Sequence, residues 1–373
     1  MKTTIFYKTT ADFDNTGEVL IYKSLLEFLR KYGDIIINDG AGVQPKFLER
    51  IGIVDSERLS KKTSLKFIPF MILKSLTGRF KREKIFFVTG VGEHSVAGLK
   101  SSIKNIASFI FLLILRFCGV TVVRIGMSMR IHGTMAALSE KILSCAVDYY
   151  YVRDSISLDN CRNAGVKKCR LAPDLSWGYI IPQIEESENR KDVYMSFRFF
   201  CESEKNCGEY QKKLIQSIKI IAEKVSKKID GCIVFSYQCD ADKDFMYRIY
   251  KQLSFIPNLI MSNELITLQN AKKYYGNAQI IFSNRLHVLL LGYKYGAPTV
   301  CVSDIEKHRK IRGIFCDNGL ENLLVDINQD EDEIVSKVMC LLENKNESRE
   351  KYKAKETENY LELESIFNNI FDK

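Results

Sequence analysis

At 373 residues, 46% hydrophobic and 27% charged, the chain has an ordinary soluble α/β composition, and at about 150 residues per domain it has room for two cores. The start MKTTIFYKTT carries no apolar core of signal-peptide length and no run approaches the ~18 apolar residues of a membrane span, so a cytoplasmic location is expected. Eleven cysteines without a Cys-x-x-Cys pair or a His at metal spacing fit reduced thiols, not a disulfide framework or a zinc site, and the net charge of +9 is modest but unevenly placed.

Taken in order, strand and helix signals alternate. Thr3 to Tyr7 predicts a strand, a polar loop follows, and Gly17 to Lys31 is an amphipathic helix with Leu20, Ile21, Leu25, Leu26 and Leu29 inward. Ile35 to Asn38, Ile85 to Thr89 and Thr121 to Ile125 are short apolar runs of strand type, each ending in small or polar residues that let backbone approach a ligand. None is a dinucleotide fingerprint or a Walker loop, so neither a nicotinamide nor an ATP site is expected. Between them, Lys61, Lys62, Lys66, Lys74, Arg79, Lys81, Arg82 and Lys84 interleave with apolar residues. This reads either as a solvated basic face over a core helix or as a peripheral contact of 61–84 with the inner face of the cytoplasmic membrane; nucleic acid ranks lower, since no groove-reading motif accompanies the charge. Ala107 to Leu115 is too short to span a membrane and reads as a buried helix segment.

After a helix from Thr134 to Ala146, Tyr149 to Val152 is a strand that ends at Arg153, and Asp154 or Ser155 caps the next helix. Arg153 reads locally as a salt-bridge residue. Lys168 to Leu171 leads into Ala172-Pro173-Asp174, and polar Glu185 to Asp192 looks like a linker, dividing the chain into 1–184 and 185–373. The second half repeats the alternation: strands at Val193 to Phe197, Gly231 to Tyr237, Gln279 to Phe282 and Thr299 to Val302, with helices between and charged helices from Glu331 on. The fold class is therefore α/β, with two doubly wound domains facing across a cleft.

The stretch Gln279 to Pro298 organises the rest. A strand runs into a helix whose first turn carries Arg285 and His287, where the helix dipole favours an anion, Arg285 adds a two-pronged donor and His287 can move a proton near neutral pH. The plain alternative is that Arg285 pairs with a carboxylate and His287 is a hydrogen-bonded core histidine.

Asn15-Thr16-Gly17-Glu18, Gly90-Val91-Gly92, Arg124-Ile125-Gly126-Met127-Ser128, Tyr149-Tyr150-Tyr151-Val152-Arg153-Asp154-Ser155, Ala172-Pro173-Asp174, Ser196-Phe197-Arg198, Ser283-Asn284-Arg285-Leu286-His287 and Asp304 to Lys307, in that order, resemble the polysaccharide pyruvyl transferases over roughly residues 1 to 310. The chain departs from that pattern at Glu18, where the family has Asp, and at Met129-Arg130, where it has Gly-Pro. The resemblance implies a GT-B-like fold and transfer of a pyruvyl group from phosphoenolpyruvate to a sugar as a cyclic ketal, with the saccharide acceptor free or lipid-linked. It places the acceptor with the N-terminal half and the donor with the C-terminal half. His287 is expected to protonate the methylene carbon, with Arg285 and Arg153 also catalytic. Lys307 and Arg198 are expected to hold the donor's anions, and Asn15, Gly17, Glu18 and Asp154 to bind substrate; Asp14, Glu18 or Asp154 would take the hydroxyl proton. No cofactor and no metal are expected. Two other readings stay open: a nucleotide-sugar glycosyltransferase on the same architecture, and a non-catalytic sugar-binding scaffold in polysaccharide assembly.

Overall fold

The computed structural model describes residues 2–9, 15–40, 44–181, 190–199 and 207–372, which form two compact units. The first comprises Met1–Phe13, Glu18–Tyr179 and Asn359–Lys373; the second comprises Asp14–Gly17 and Ile180–Glu358.

The strands of the first unit are β1 (Thr3–Tyr7), β2 (Asp34–Ile37), β3 (Lys84–Thr89), β4 (Gly92–Ala97), β5 (Val120–His132), β6 (Tyr149–Val152) and β7 (Cys169–Leu171). They pair in parallel in the order β2-β1-β3-β5-β6-β7, with β4 lying against the second half of β5. The expected Gly90-Val91-Gly92 loop is thus a kink between two strands that pair with successive halves of β5. Gly90 and Gly92 both take φ near +100°, where a Cβ is strained, and a Cβ on Gly90 would lie 3.2 Å from Met127 Sδ.

The helices of this unit are α1 (Thr16–Arg30, whose first two residues belong to the second unit), α2 (Pro45–Arg50), α3 (Phe67–Phe80), α4 (Gly98–Phe117), α5 (Thr134–Cys145) and α6 (Ser155–Asn163). Strand alternation sends β3 side chains to opposite faces. Phe87 meets Phe67 and Phe111 of α3 and α4 at 6.2 and 6.3 Å, whereas Phe86 meets Phe371 at 4.6 Å. Ala107 to Leu115 is not a buried segment but part of the 20-residue helix α4, which buries Leu112 and Leu115 and leaves most of its apolar length at the surface. Among the described residues its second apolar face has no layer above it, which the sequence pattern could not disclose. Among the described residues α4 is also the one helix long and apolar enough to cross a membrane by length and composition.

The second unit contains β8 (Asp192–Ser196), β9 (Ile233–Phe235), β10 (Leu259–Met261), β11 (Ala278–Ser283), β12 (Thr299–Ser303) and β13 (Leu324–Asp326). These too are all parallel, in the order β10-β9-β8-β11-β12-β13. Between them run α7 (Cys207–Val225), α8 (Lys243–Gln252), α9 (Ala271–Tyr275), α10 (Leu286–Lys294), α11 (Arg309–Asp317) and α12 (Glu331–Glu343), followed by α13 (Lys345–Phe371). Chain order reverses between β8 and β11. In a doubly wound sheet that switch point, at the carboxyl ends of the strands, is where ligands bind. Gly292 lets α10 lie close to the sheet, since a Cβ there would come within 2.6 and 2.7 Å of Ile281 and Thr299.

Both halves are doubly wound α/β, as expected. The division into 1–184 and 185–373 is amended, because neither unit is continuous in sequence. The break at 179/180 lies close to the expected one, and most of the expected linker, residues 185–189, lies outside the described residues. The last residues of α13 join the first unit because Leu363, Phe367 and Ile370 are buried there, with Phe367 stacked on Phe28 at 4.7 Å.

Candidate functional site

The strands on either side of the switch point in the second unit end in serine: Ser196 on β8 and Ser283 on β11. Ser283 Oγ donates to the Ser196 carbonyl and accepts the Arg285 N–H at 2.9 Å. Fully buried Asn284 ties the two exits together, its Oδ1 accepting from Arg198 N–H and its Nδ2 donating to Arg198 O, both at 2.8 Å. Two buried polar side chains therefore fix where Arg198 and Arg285 leave the sheet, with their own hydrogen bonds made at the same time.

Arg285 is the N-cap residue of α10, and His287 sits in the helix's first turn, half-buried. The Arg285 guanidinium grips Asp242 side-on, Nη2 donating to Oδ1 at 2.6 Å and Nε lying against Oδ2. Burial pushes the Asp242 carboxyl above its usual range, against the pull of Arg285 and, more weakly, of Arg198. Arg198 is half-buried, with Nη2 3.3 Å from His308 Nε2. His308 is 6% exposed at the N-cap of α11, and its N–H donates to the Asp304 carbonyl at 2.9 Å. Lys307 is the exposed cation of the group, its Nζ 3.0 Å from Asp304 Oδ2. Burial alone would raise the Asp304 carboxyl, but the hydrogen bonds from the Lys307 side chain and backbone outweigh it and hold the group below its ordinary value.

The amino-terminal motif reaches this site. Asn15 forms an antiparallel bridge with Cys239, Thr16 N–H donates to Gln238 O at 2.9 Å, and Thr16 Oγ1 donates to Ile266 O at 2.8 Å. Asn15 Oδ1 accepts the Gly17 N–H at 3.0 Å, closing a tight turn. Gly17 is then pressed against the imidazole of His287: a Cβ at that position would lie 2.6 Å from Nδ1 and 2.8 Å from the histidine's own Cβ. Close approach explains a glycine here, since its φ is not in the left-handed region.

The structure thus gathers Asn15, Gly17, Arg198, Arg285, His287 and Lys307 in the second unit, and puts Arg153, Asp154 and Glu18 in the first. Arg153 donates from Nη1 to Asp174 at 3.0 Å and from Nε to Ser128 Oγ at 2.8 Å, its side chain 2% exposed. Ser128 in turn donates to Asp154 Oδ2 at 2.6 Å, while Asp154 Oδ1 caps α6 through Ser157 N–H at 2.7 Å. Three motifs far apart in sequence meet in one buried polar network, in which the Arg153 guanidinium is engaged by Asp174 and Ser128 through Nη1 and Nε. Glu18 is half-buried in the first turn of α1. Asp14 lies outside the described residues. Asp242 and His308 were not foreseen, and Asn284 stood in the Ser283-to-His287 motif without a role assigned to it. His308 carried a signal, as one of only four histidines in the chain, directly after Lys307; Asp242 is recognised only by what it touches.

The first unit has a cavity of about 770 Å³ at the carboxyl ends of β1 and β2, polar at Lys8, Asn38, Asp39, Ser60, Thr63, Ser64 and Lys66 and otherwise mainly apolar, with Leu59, Phe67, Phe87 and Phe111.

Comparison with known proteins agrees with this architecture. A UDP-GlcNAc 2-epimerase from Neisseria meningitidis bound to UDP-GlcNAc superposes with a TM-score of 0.58 at 11% identity, over 99% of both chains. S. aureus MnaA in a co-structure with UDP gives 0.53 at 9% identity, over 98% of this chain and 91% of that one. An O-GlcNAc transferase mutant from Thermobaculum terrenum gives 0.54 at 10%, over all of this chain and 66% of that one. At these identities the likeness is one of fold, the GT-B class. No curated protein matches the chain by sequence. The polysaccharide pyruvyl transferase family profile matches residues 15–304, from the asparagine that begins the turn beside His287 to the aspartate that holds Lys307. The chain belongs to the polysaccharide pyruvyl transferases, a family of transferase enzymes.

Proposed function

We propose that the protein transfers a pyruvyl group from phosphoenolpyruvate to two hydroxyls of a saccharide in a cell-surface or capsular polysaccharide, or in its lipid-linked precursor, forming a cyclic ketal and releasing phosphate. The observation that carries this reading is the set of groups on the segments that follow β8, β11 and β12: His287 two residues from Arg285, Arg198 tied to Asn284, and Lys307 paired with Asp304. Phosphoenolpyruvate has a carboxylate and a phosphate, and fixed cations match both. Side-on pairing with Asp242 would orient the Arg285 guanidinium and leave its Nη1 edge for a donor oxygen. Lys307, on a longer and more exposed stem, suits the phosphate.

In this reading His287 delivers a proton to the methylene carbon, leaving an oxocarbenium-like centre at the adjoining carbon. One sugar hydroxyl adds there and gives up its proton. Phosphate departs with the electrons of its C–O bond, and the second hydroxyl closes the ring, its proton balancing the released phosphate. Gly17 against the ring would hold the imidazole in one orientation, as a positioned acid requires. The cavity at the ends of β1 and β2 is the acceptor site this reading favours, its amide, carboxylate and hydroxyl groups suiting a sugar.

The test is turnover. Purified protein is given phosphoenolpyruvate and a panel of oligosaccharide acceptors, and phosphate release is followed together with the mass of the product. Ketal product that requires phosphoenolpyruvate supports the reading. Transfer from a nucleotide sugar with no use of phosphoenolpyruvate would overturn it.

A further inference from the structure

The first unit carries an apolar face that its described residues leave uncovered. Along α4, Leu99, Ile103, Ile110, Ile114 and Phe117 are exposed at intervals of three, four and seven residues, which places them in one stripe down the helix. The opposite side of α4 buries Leu112 and Leu115 against the sheet. Met135 and Leu138 of α5 extend the stripe, with an apolar groove of about 450 Å³ between the two helices. On the same side of the sheet, Ser75 of α3 donates to the Cys118 carbonyl just past α4, and α3 exposes Ile68, Leu73, Leu76 and the 93%-exposed Phe80. Of the twenty exposed large hydrophobics among the described residues, twelve lie between Leu65 and Leu138. So much exposed apolar surface on one side marks an interaction surface.

The charge around it says what the surface meets. Between Lys61 and Phe117 stand eleven Lys and Arg against two Glu, a surplus of nine equal to that of the whole chain; the other residues balance at 44 of each sign. Lys66, Arg79, Lys81, Arg82, Lys100 and Lys104 are exposed, three of them flanking Phe80. A symmetric dimer through this face would set two such surpluses against each other. Aliphatic stripes rimmed by Lys and Arg instead match a lipid surface, with hydrocarbon below and anionic headgroups around.

We propose that the α3–α4–α5 face of the first unit seats on an anionic phospholipid bilayer, with α4 lying in the interfacial plane. Crossing the bilayer would pull Leu112 and Leu115 out of the core and carry Lys100 and Lys104 into hydrocarbon.

Co-sedimentation of the full-length protein with vesicles tests this, using phosphatidylcholine alone or mixed with phosphatidylglycerol, at low and high salt. The reading needs neither donor nor acceptor, so it stands or falls apart from the pyruvyl-transfer proposal. The protein should pellet with the mixed vesicles at low salt and be released at high salt. Lys100→Glu with Lys104→Glu, and separately Ile110→Asp with Phe117→Ser, should each lower partitioning by roughly tenfold or more with an unchanged melting midpoint. Should the apolar double variant fail to fold, Ile103→Gln takes its place. No sedimentation with anionic vesicles, or equal sedimentation of all variants, overturns the proposal. So does a wild-type dimer in light scattering that the apolar variant splits, which would assign the face to a second copy, or capture by RNA in place of vesicles.

Discussion

His287 stands in the first turn of α10 with the backbone of Gly17 against its ring, so its position is set from two directions. If it is the general acid, His287→Gln keeps phosphoenolpyruvate affinity while turnover falls roughly 10²- to 10⁴-fold. Lys307→Ala should do the reverse, weakening donor binding by ~1.5 to 3 kcal/mol, or roughly ten- to a hundredfold, as read by calorimetric titration. A stable His287→Gln protein with near-normal turnover would end the catalytic assignment; unchanged donor affinity in Lys307→Ala would remove that residue from the donor site. A second histidine makes a different prediction. Burial, and then the Arg124 guanidinium, push the His94 imidazole down to about 4. The unfolded chain therefore takes up this proton first as pH falls from about 6.5 towards 4, and stability drops across that window while staying flat above it. With the ring partly exposed the effect is about 2 kcal/mol. His94→Gln should flatten that part of the pH–stability curve by this amount in denaturant titrations, and an unaltered slope would show that the ring titrates normally.

At the scale of elements, the middle of β5 and the exits of β6 and β7 are joined by Ser128, Arg153, Asp154 and Asp174. The Arg153–Asp174 pair is almost completely buried. Removing one partner of such a pair leaves a desolvated charge, so Asp174→Ala should destabilise the protein by about 3 to 5 kcal/mol, measured by denaturant unfolding. An unchanged unfolding midpoint would mean that Arg153 does not depend on Asp174. Arg153-Asp154-Ser155 and Ala172-Pro173-Asp174 were legible as a strand exit with its cap and as a turn, because that chemistry is local; Gly126-Met127-Ser128, expected as a loop after a strand, instead lies inside β5, where Gly126 takes a φ of +82° at a shift in register between Arg124 and Met127. The convergence of the three was not legible. A side-chain bond across three strands depends on sheet order, which local patterning does not encode.

On the scale of the whole molecule, α13 belongs to both units. Its first half packs on the second unit, where Tyr352 stacks on Tyr293 at 3.8 Å and Glu356 pairs with buried Lys294 at 2.6 Å. Its end buries Leu363, Phe367, Ile370 and Phe371 in the first unit, with Lys31 paired to Glu364 at the rim. Each of those large apolar side chains contributes about 1.5 to 3 kcal/mol. Deleting 359–373 should therefore leave the first unit unfolded or aggregating, seen as loss of its cooperative melting transition. A soluble truncated protein that melts as the full chain does would show that the tail is dispensable.

By itself the sequence determined the alternation of strands and helices, the two doubly wound halves, and the strand-to-helix turn that carries Arg285 and His287, since each follows from periodicity and caps within some twenty residues. Thr3–Tyr7 and Tyr149–Val152 were bounded to the residue, as runs of apolar and aromatic side chains with clear stops. Tertiary structure alone decided that Gly17 lies on His287, that Asp242 holds Arg285, that Arg153 is paired with Asp174, and that the apolar half of α4 faces outward. In each case the deciding quantity is a distance between residues far apart in the chain, or the absence of a layer over a helix. A hydrophobic stripe has the same period whether it meets a core or a membrane, and an arginine reads the same whether or not a carboxylate waits for it.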